Sequence, residues 1–412
     1  MRPLLSHYKL QILLIFLIAL ITRFAFLDYF RAAGQILNND ASDYNRIAFN
    51  LLGGHGFALE PGVPTAFRPF GYPWFLAFIY AIFPNSVIAV QCVQILLGSL
   101  VVIPTYQLGR TLFNPVTAVV ASLGVALHPV LWYLTALIAP ETIALLASME
   151  LLWLAYQLTE KNHRSVWLWL GCALTGAIAI LMRPETLLLV LFLLFAYAWQ
   201  FRGHAPRLLP LSTALFLAFL LAIMPPTLRN FTRFHDFIPM PTVGGVTFWG
   251  ANNASVNGGW VMPTAATWTE GPAPASMRGW EELTEQASQD RFYDASFTWI
   301  SQHPMDALRL IPKKLLRSWQ LSFADETKTS TLPSVVGLFN TGFGLAVLLG
   351  LLVVAFKQRA ASWLLAAPMA AWLIKTLAFY GSARQTALVL PIMCLSAGVF
   401  IAFILQRAFP TR

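Results

Sequence analysis

About ten long apolar stretches, separated by charged connections, constrain this 412-residue chain more than any other feature. Crossing the hydrocarbon core of a bilayer takes roughly 20 apolar residues in a helix. By that rule, spans are expected near residues 10–27, 86–107, 115–136, 140–158, 166–182, 185–200, 209–226, 333–355, 362–380 and 386–405. The pair flanking Arg183 is short, and one reading merges it into a kinked or re-entrant element. Composition agrees with a membrane protein: 57% of residues are hydrophobic and 11% charged, where a soluble domain carries about 25% charged residues. Arg2 and Lys9 precede the first stretch without a small-residue cleavage site after it, which predicts an uncleaved signal anchor. Cys92, Cys172 and Cys394 all fall inside apolar runs, so no external disulfide framework is expected.

The net charge of +9 is distributed as a topology signal. With a cytoplasmic N-terminus, eleven basic residues fall inside (Arg2, Lys9, Arg110, Lys161, Arg164, Arg202, Arg207, Lys357, Arg359, Arg407 and Arg412) against one acid, Glu160. The two long outer connections balance differently. Residues 28–85 hold three basic and four acidic residues, and residues 228–330 hold nine and ten. The positive-inside rule therefore places both termini in the cytoplasm of a multi-pass protein of the inner or plasma membrane. Basic residues interleaved with aromatics are absent, which excludes a nucleic-acid partner. Arg23, Glu141, Glu150, Arg183, Glu185, Lys375 and Arg384 remain within or at the ends of spans, where charge is costly and usually paired or functional. All but Glu150 lie towards the exterior face, so chemistry is expected there.

Within the first outer connection, Tyr44, Ala48, Leu51 and Leu52 recur at helical spacing up to Gly53-Gly54, which predicts a short amphipathic helix at the membrane surface. A second, aromatic-rich helix is expected over Pro73–Phe83. In the second connection, residues 227–332, the stretch Gly244-Gly245-Val246-Thr247-Phe248-Trp249-Gly250-Ala251-Asn252-Asn253 has the turn residues of an irregular binding loop. Beyond it, Trp299, His303-Pro304 and Lys313-Lys314 mark a helical return to the membrane. No soluble domain with its own core is expected, and residues 1–412 form a single membrane domain.

Asp40 and Asp43, three apart, share a helix face with Tyr44 one turn on from Asp40. A carboxylate at the mouth of a bundle can act as a general base or offer oxygen to a divalent cation, so a metal ion is left open; both acids also suit helix capping or solvation. Arg68 has the forked donors that hold a phosphate, and snorkelling to headgroups is the bland alternative. Arg183 and Arg384 near the same face strengthen the phosphate reading, because three arginines exceed what anchoring needs. Glu141 starts a span, where a helix N-terminus favours a carboxylate whatever its role. No histidine or cysteine spacing suits zinc, and no Walker, GxGxxG or GxSxG pattern occurs. Asn230-Phe231-Thr232 and Asn253-Ala254-Ser255 match the glycosylation sequon, a pattern short enough to arise by chance.

The order of these motifs resembles a family. Asp40-x-x-x-Tyr44, Gly53-Gly54-His55-Gly56-Phe57 and Pro64-Thr65-Ala66-Phe67-Arg68-Pro69-Phe70-Gly71-Tyr72-Pro73, followed by Pro140-Glu141-Thr142, Arg229-Asn230-Phe231, the Gly244 to Asn253 stretch, His303-Pro304 with Lys313, and Arg384, are similar to glycosyltransferase family 39. These are the protein mannosyltransferase-like and aminoarabinose transferase-like membrane enzymes. The resemblance implies an all-α polytopic membrane protein: a GT-C-like bundle of about ten transmembrane helices, with exterior juxtamembrane helices and one long exterior loop. It also implies a glycosyltransferase that moves a sugar from a polyprenyl-phosphate-linked donor to an acceptor hydroxyl on a lipid, glycan or protein, with inversion. Asp40 matches the catalytic aspartate, and Arg68 the basic residue expected near the donor phosphate. A single Pro69 with Phe70 replaces the family's Pro-Pro pair. Arg384 matches a further phosphate ligand, and Asp43, Tyr44, Glu141 and Arg183 are candidate substrate-binding residues. A polytopic lipid or solute transporter is the rival reading; inverted halves and a matched pair of broken helices, which would support it, are missing from the sequence.

Overall fold

The computed structural model describes residues 7–32, 39–160, 165–202, 205–268, 283–319, 334–357 and 362–408. Asn38 of the first motif lies outside them, as do Arg2, Lys161, Arg164, Arg359 and Arg412 of the charge count, and residues 320–333.

Helices build the whole bundle: α1 (Tyr8–Ala32), α2 (Asn39–Leu52), α3 (Gly71–Ile82), α4 (Val87–Leu100), α5 (Val102–Leu112), α6 (Pro115–Leu127), α7 (Pro129–Ala136), α8 (Glu141–Glu160) and α9 (Val166–Met182). After a single 3-10 turn (Pro184–Thr186) follow α10 (Leu187–Gln200), α11 (Ala205–Phe234), α12 (Val243–Trp249), α13 (Glu285–Gln302), α14 (Pro304–Trp319), α15 (Ser334–Lys357), α16 (Ser362–Ala378), α17 (Ala383–Thr386) and α18 (Leu390–Ala408). The described strands, β1 (Ala58–Glu60) and β2 (Val63–Pro64), form one small antiparallel hairpin. Among the described residues five helices are long and apolar enough to cross a membrane, and the bent pair α6–α7 makes a sixth. Four further apolar helices, α9, α10, α15 and α16, occupy the remaining stretches expected from hydropathy.

The pair flanking Arg183 does not merge. Arg183 has extended backbone (φ −141°, ψ 102°) and Pro184 follows, which ends α9. Beyond the break α9 packs on α8 and α11 while α10 packs on α16, so each half has its own burial partner.

A second break shows how the bundle accommodates charge. Helices α6 and α7 meet at His128-Pro129 with a 47° bend. Pro129 has no N–H to give the Val125 carbonyl four residues back. Arg23 of α1, buried in the bundle, fills that role: its guanidinium donates to Val125 O at 3.3 Å and to Ala126 O at 3.3 Å. Ala126 O also accepts from Thr22 Oγ1 and Trp132 Nε1. Arg23 is therefore a helix C-cap inside the bundle.

Both amphipathic helices of the first connection are present. Helix α2 buries Ala41, Tyr44, Ile47 and Ala48 and exposes Phe49 and Leu52, and Gly54 at φ +77° follows its end. Helix α3 docks on it through Tyr80, which donates to Asn45 Oδ1 at 2.7 Å and stacks on Phe49. Two expectations for the second connection change. Residues 243–249 are helical, because Gly244 and Gly245 serve close approach rather than a turn: a Cβ at Gly245 would meet Gln289 O at 2.4 Å. The connections also share a small core, in which Ile47, Phe57, Leu59 and Phe67 of the first pack with Val246, Trp249, Trp268 and Phe292 of the second. Alternating aromatics in two connections, each too short to bury them alone, find partners in each other.

Replacing Arg23 by Leu orphans the Val125 carbonyl, an unpaired buried group costing about 1–3 kcal/mol. The expected outcome is a lower Tm in detergent, partly restored in the Arg23→Leu, Pro129→Ala double variant, whose backbone regains the missing N–H.

Candidate active site

Asp40, Asp43, Tyr44, Arg68, Glu141, Arg183, Glu185 and Arg384 converge at one end of the bundle, whereas Arg23 and Glu150 stand apart from them. Asp40, in the first turn of α2, accepts Arg68 Nη2 on one oxygen at 2.8 Å and Arg384 Nη1 on the other at 2.9 Å. Asp43, one helical turn on, takes Arg68 by Nε at 3.0 Å and Nη2 at 2.9 Å. Arg384, on the short α17, reaches across with Nε to Glu141 at the start of α8. Glu141 also accepts Arg183, whose Nε meets Glu185 Oε1 at 2.6 Å. The result is one alternating chain, Asp43–Arg68–Asp40–Arg384–Glu141–Arg183–Glu185, of four carboxylates and three guanidinium groups. The arginines that the sequence showed as surplus to anchoring are thus each shared between two or more acids.

Burial differs from member to member of this chain. Glu141 has no exposed side-chain surface, whereas Asp40, at 29%, is its most accessible member. Burial alone raises a carboxyl's pKa, but Arg68 and Arg384 outweigh it and hold Asp40 well below the usual carboxylate range. Burial keeps the Tyr44 phenol protonated far up the alkaline range; its ring lies edge-on to Tyr72 and 5.5 Å from the Arg68 guanidinium. Asp40 and Asp43 direct their oxygens onto guanidinium groups, and no three His, Cys, Asp or Glu side chains converge for a metal among the described residues. Glu150 lies on α8 nine residues beyond Glu141, about 13 Å along the axis, and takes no part.

Several positioning groups were missed at the level of sequence. Gln91 and Gln94 of α4 donate to the carbonyls of Thr135, Ala136 and Leu137 at the end of α7, fixing the chain that enters α8 at Glu141. Gln94 in turn accepts Tyr72 Oη at 2.6 Å. Lys375 caps the Gln385 carbonyl at 2.8 Å beside Arg384. The Lys313 expected from the family is exposed, and its neighbour Lys314 is the buried one. Lys314 donates to Asn252 Oδ1 at 2.8 Å and to Leu377 O at 3.1 Å, and burial pulls its ammonium down to about 8. Both sequon asparagines are buried and committed, Asn230 to Ile238 O and Asn253 to Trp249 O. The sequon matches are therefore fortuitous.

Comparisons with known proteins bear on this geometry. Residues 67–228 match the family described as dolichyl-phosphate-mannose-protein mannosyltransferase. In fold, the chain is similar to the oligosaccharyltransferase of Archaeoglobus fulgidus in its apo form (TM-score 0.59, 13% identity, 97% of this chain and 51% of that one). It is also similar to the archaeal oligosaccharyltransferase AglB of the same organism in complex with an inhibitory peptide and a dolichol-phosphate (TM-score 0.51, 13% identity, 92% and 49%). This is a GT-C fold, and its matched segment is mannosyltransferase-like. ArnT from Cupriavidus metallidurans bound to undecaprenyl phosphate aligns over 96% of this chain and 78% of its own at 15% identity, with a TM-score of 0.46. The chain spans about half the length of the two archaeal structures. None of the curated proteins matches it in sequence. The segment shared with the mannosyltransferases includes Arg68, Glu141 and Arg183. Asp40 and Arg384 lie outside it and join Arg68 and Glu141 through ion pairs.

Removing one partner of a buried ion pair strands the other charge, at a cost of roughly 3–5 kcal/mol. Glu141→Ala is expected to lose about that much, and Asp40→Asn much less because its site is partly open; thermal unfolding of both purified variants measures the difference.

Proposed function

We propose that this chain is a membrane glycosyltransferase that moves a sugar from a polyprenyl-phosphate-linked donor to an acceptor hydroxyl, with Asp40 as the base. One observation carries the reading: Asp40 is the most accessible acid of the chain of ion pairs and holds an arginine on each oxygen. The resemblance to the mannosyltransferases over residues 67–228 supports it. The dolichol-phosphate held by one structural neighbour, the archaeal AglB complex, agrees with a lipid phosphate as the carrier. Charge gathered at one end of the bundle suits a fixed site better than the midplane site of a transporter. The distribution of basic residues supports cytoplasmic termini and a site on the exterior or periplasmic face.

The reaction is written as one displacement. The acceptor hydroxyl gives its proton to an Asp40 oxygen as its own oxygen attacks the anomeric carbon. The bond from that carbon to the phosphate oxygen breaks, and the electron pair leaves with the phosphate. Attack opposite the leaving group inverts the anomeric centre. Arg68 and Arg384 stabilise the charge that grows on the phosphate, a preorganised electrostatic role. While both arginines bind Asp40 its low pKa makes it a weak base. A lipid phosphate that draws the guanidinium groups towards itself weakens those pairs and raises the basicity of Asp40 when the base is needed. A pocket lined by Pro69, Phe70, Leu181, Pro184, Ile223 and Pro226 includes the chain neighbours of Arg68 and Arg183, though neither arginine lines it. Its apolar walls suit the polyprenyl chain of a lipid whose phosphate meets these arginines. The second connection, whose helices flank the site, is where selection of a lipid, glycan or protein acceptor belongs.

Incubation of the purified protein with a panel of polyprenyl-phosphate sugars and candidate acceptors, read by mass spectrometry, is expected to yield a transferred sugar and free polyprenyl phosphate. Donor consumption in none of the panel would overturn the reading. Asp40→Asn is expected to lower kcat by about 10²–10⁴ with lipid-phosphate binding retained. The pH profiles carry a sign. kcat/KM reports the free enzyme, where the depressed pKa of Asp40 removes any acid limb of its own above pH ~4; kcat reports the loaded enzyme, so its acid limb is expected at higher pH.

A further inference from the structure

Arg68 is delivered to Asp40 by three residues, Thr65, Ala66 and Phe67, whose backbone groups are accounted for one by one. Thr65 N–H donates to Phe57 O at 3.2 Å, and Thr65 O accepts Arg229 Nη1 at 2.7 Å. Ala66 O accepts the Thr242 N–H at 3.0 Å, and Phe67 N–H donates to Thr65 Oγ1 at 3.0 Å. The remaining N–H, of Ala66, donates to Glu285 Oε2 at 2.8 Å, and the Thr65 hydroxyl donates to Glu285 Oε1 at 2.6 Å. Glu285 lies 219 residues from Ala66, in the first turn of α13, where Thr284 caps the helix by accepting from Ala287 N–H. A helix N-terminus favours a carboxylate there. Both oxygens of this carboxylate are spent on the segment that ends in Arg68, and Thr242 Oγ1 donates to one of them at 3.2 Å.

We propose that Glu285 is a positioning residue for Arg68: its carboxylate fixes Thr65 and Ala66 so that the guanidinium stays poised between Asp40, Asp43 and an incoming lipid phosphate. The inference rests on the reading of Arg68 as a phosphate ligand. It adds that the second connection, across α13, sets the geometry of a charge presented by the first. Glu285 itself touches none of the seven ion-paired residues among the contacts that the structure shows; it acts through the backbone two residues before Arg68. A carboxylate is needed because three donors converge on its two oxygens. Glutamine supplies one acceptor oxygen and would aim its NH₂ at a second donor.

The test uses the full chain in lipid nanodiscs with undecaprenyl phosphate as the probe. Its Kd is measured for the parent, Glu285→Gln, Arg68→Gln and the double variant, together with amide exchange across residues 64–70. Loss of one charge-assisted hydrogen bond is expected to weaken binding by about tenfold in Glu285→Gln. Arg68→Gln should weaken it at least as far, and the double variant no further than Arg68→Gln alone, because the two act through one guanidinium. Amide exchange at Ala66 and Phe67 should rise in Glu285→Gln while that of α8 and α18 stays at the parent rate. Thr65→Val, which removes one donor and keeps the carboxylate, should produce a smaller change in the same direction. Additive losses in the double variant, or exchange at residues 66 and 67 equal to the parent, would overturn the proposal. If the parent binds no undecaprenyl phosphate, it is the reading of Arg68 that falls, and the exchange measurement alone decides whether Glu285 holds this segment.

Discussion

One carboxylate with no exposed surface organises the functional end of this bundle. Glu141 opens α8, where the helix N-terminus favours negative charge, and it binds Arg183 after α9 and Arg384 before α18. A buried charge is tolerated only with partners, and these come from 42 and 243 residues away along the chain. Burying Glu141 therefore obliges the ends of three helices to meet. Arg384, held on one side by Glu141, is left pointing its other edge at Asp40. Through Arg384, the accessible Asp40 takes its geometry from the inaccessible Glu141.

Around this charged chain stands a second layer of neutral and singly charged tethers. Gln91 and Gln94 hold the entry to α8, Lys375 holds the turn that bears Arg384, and Glu285 with Arg229 and Thr242 holds the segment before Arg68. Each joins elements far apart in sequence, and none touches an oxygen of Asp40. Guanidinium groups fixed in this way need little reorganisation when charge develops beside them, which is where electrostatic help is most effective. Arg23 applies the same chemistry away from the site: it supplies the Val125 carbonyl with the donor that Pro129 lacks, so the α6–α7 bend is built without an orphaned backbone group.

Much of this frame is legible in one sequence, though unevenly. The period of Tyr44, Ala48 and Leu51 announces α2, because burial of one helical face forces that spacing, and hydropathy places the apolar helices. Gly244 and Gly245 mislead: glycine reads the same whether it permits a turn or a close helix contact, and only the Gln289 carbonyl, which a Cβ on Gly245 would meet at 2.4 Å, separates the two. Lys313 and Lys314 are equivalent on paper, yet neighbours on a helix point about 100° apart, and packing of α14 against Leu377 chooses Lys314 for burial. Glu285 offered no signal beyond a cap-like Thr-Glu pair before a helix. Its partners lie in another connection.

By itself the sequence determined that this chain crosses a membrane many times, which stretches are apolar enough to do so, and that a small set of acids and arginines stands at their ends. Those are properties of composition and local period, and they need no knowledge of neighbours. Which arginine meets which carboxylate was decided by tertiary structure alone. Ion pairs have no sequence period; they form wherever folding carries opposite charges out of water together. The same packing that buries Glu141 leaves Asp40 partly open, and so separates a fully buried acid from an accessible one within one set of ion pairs.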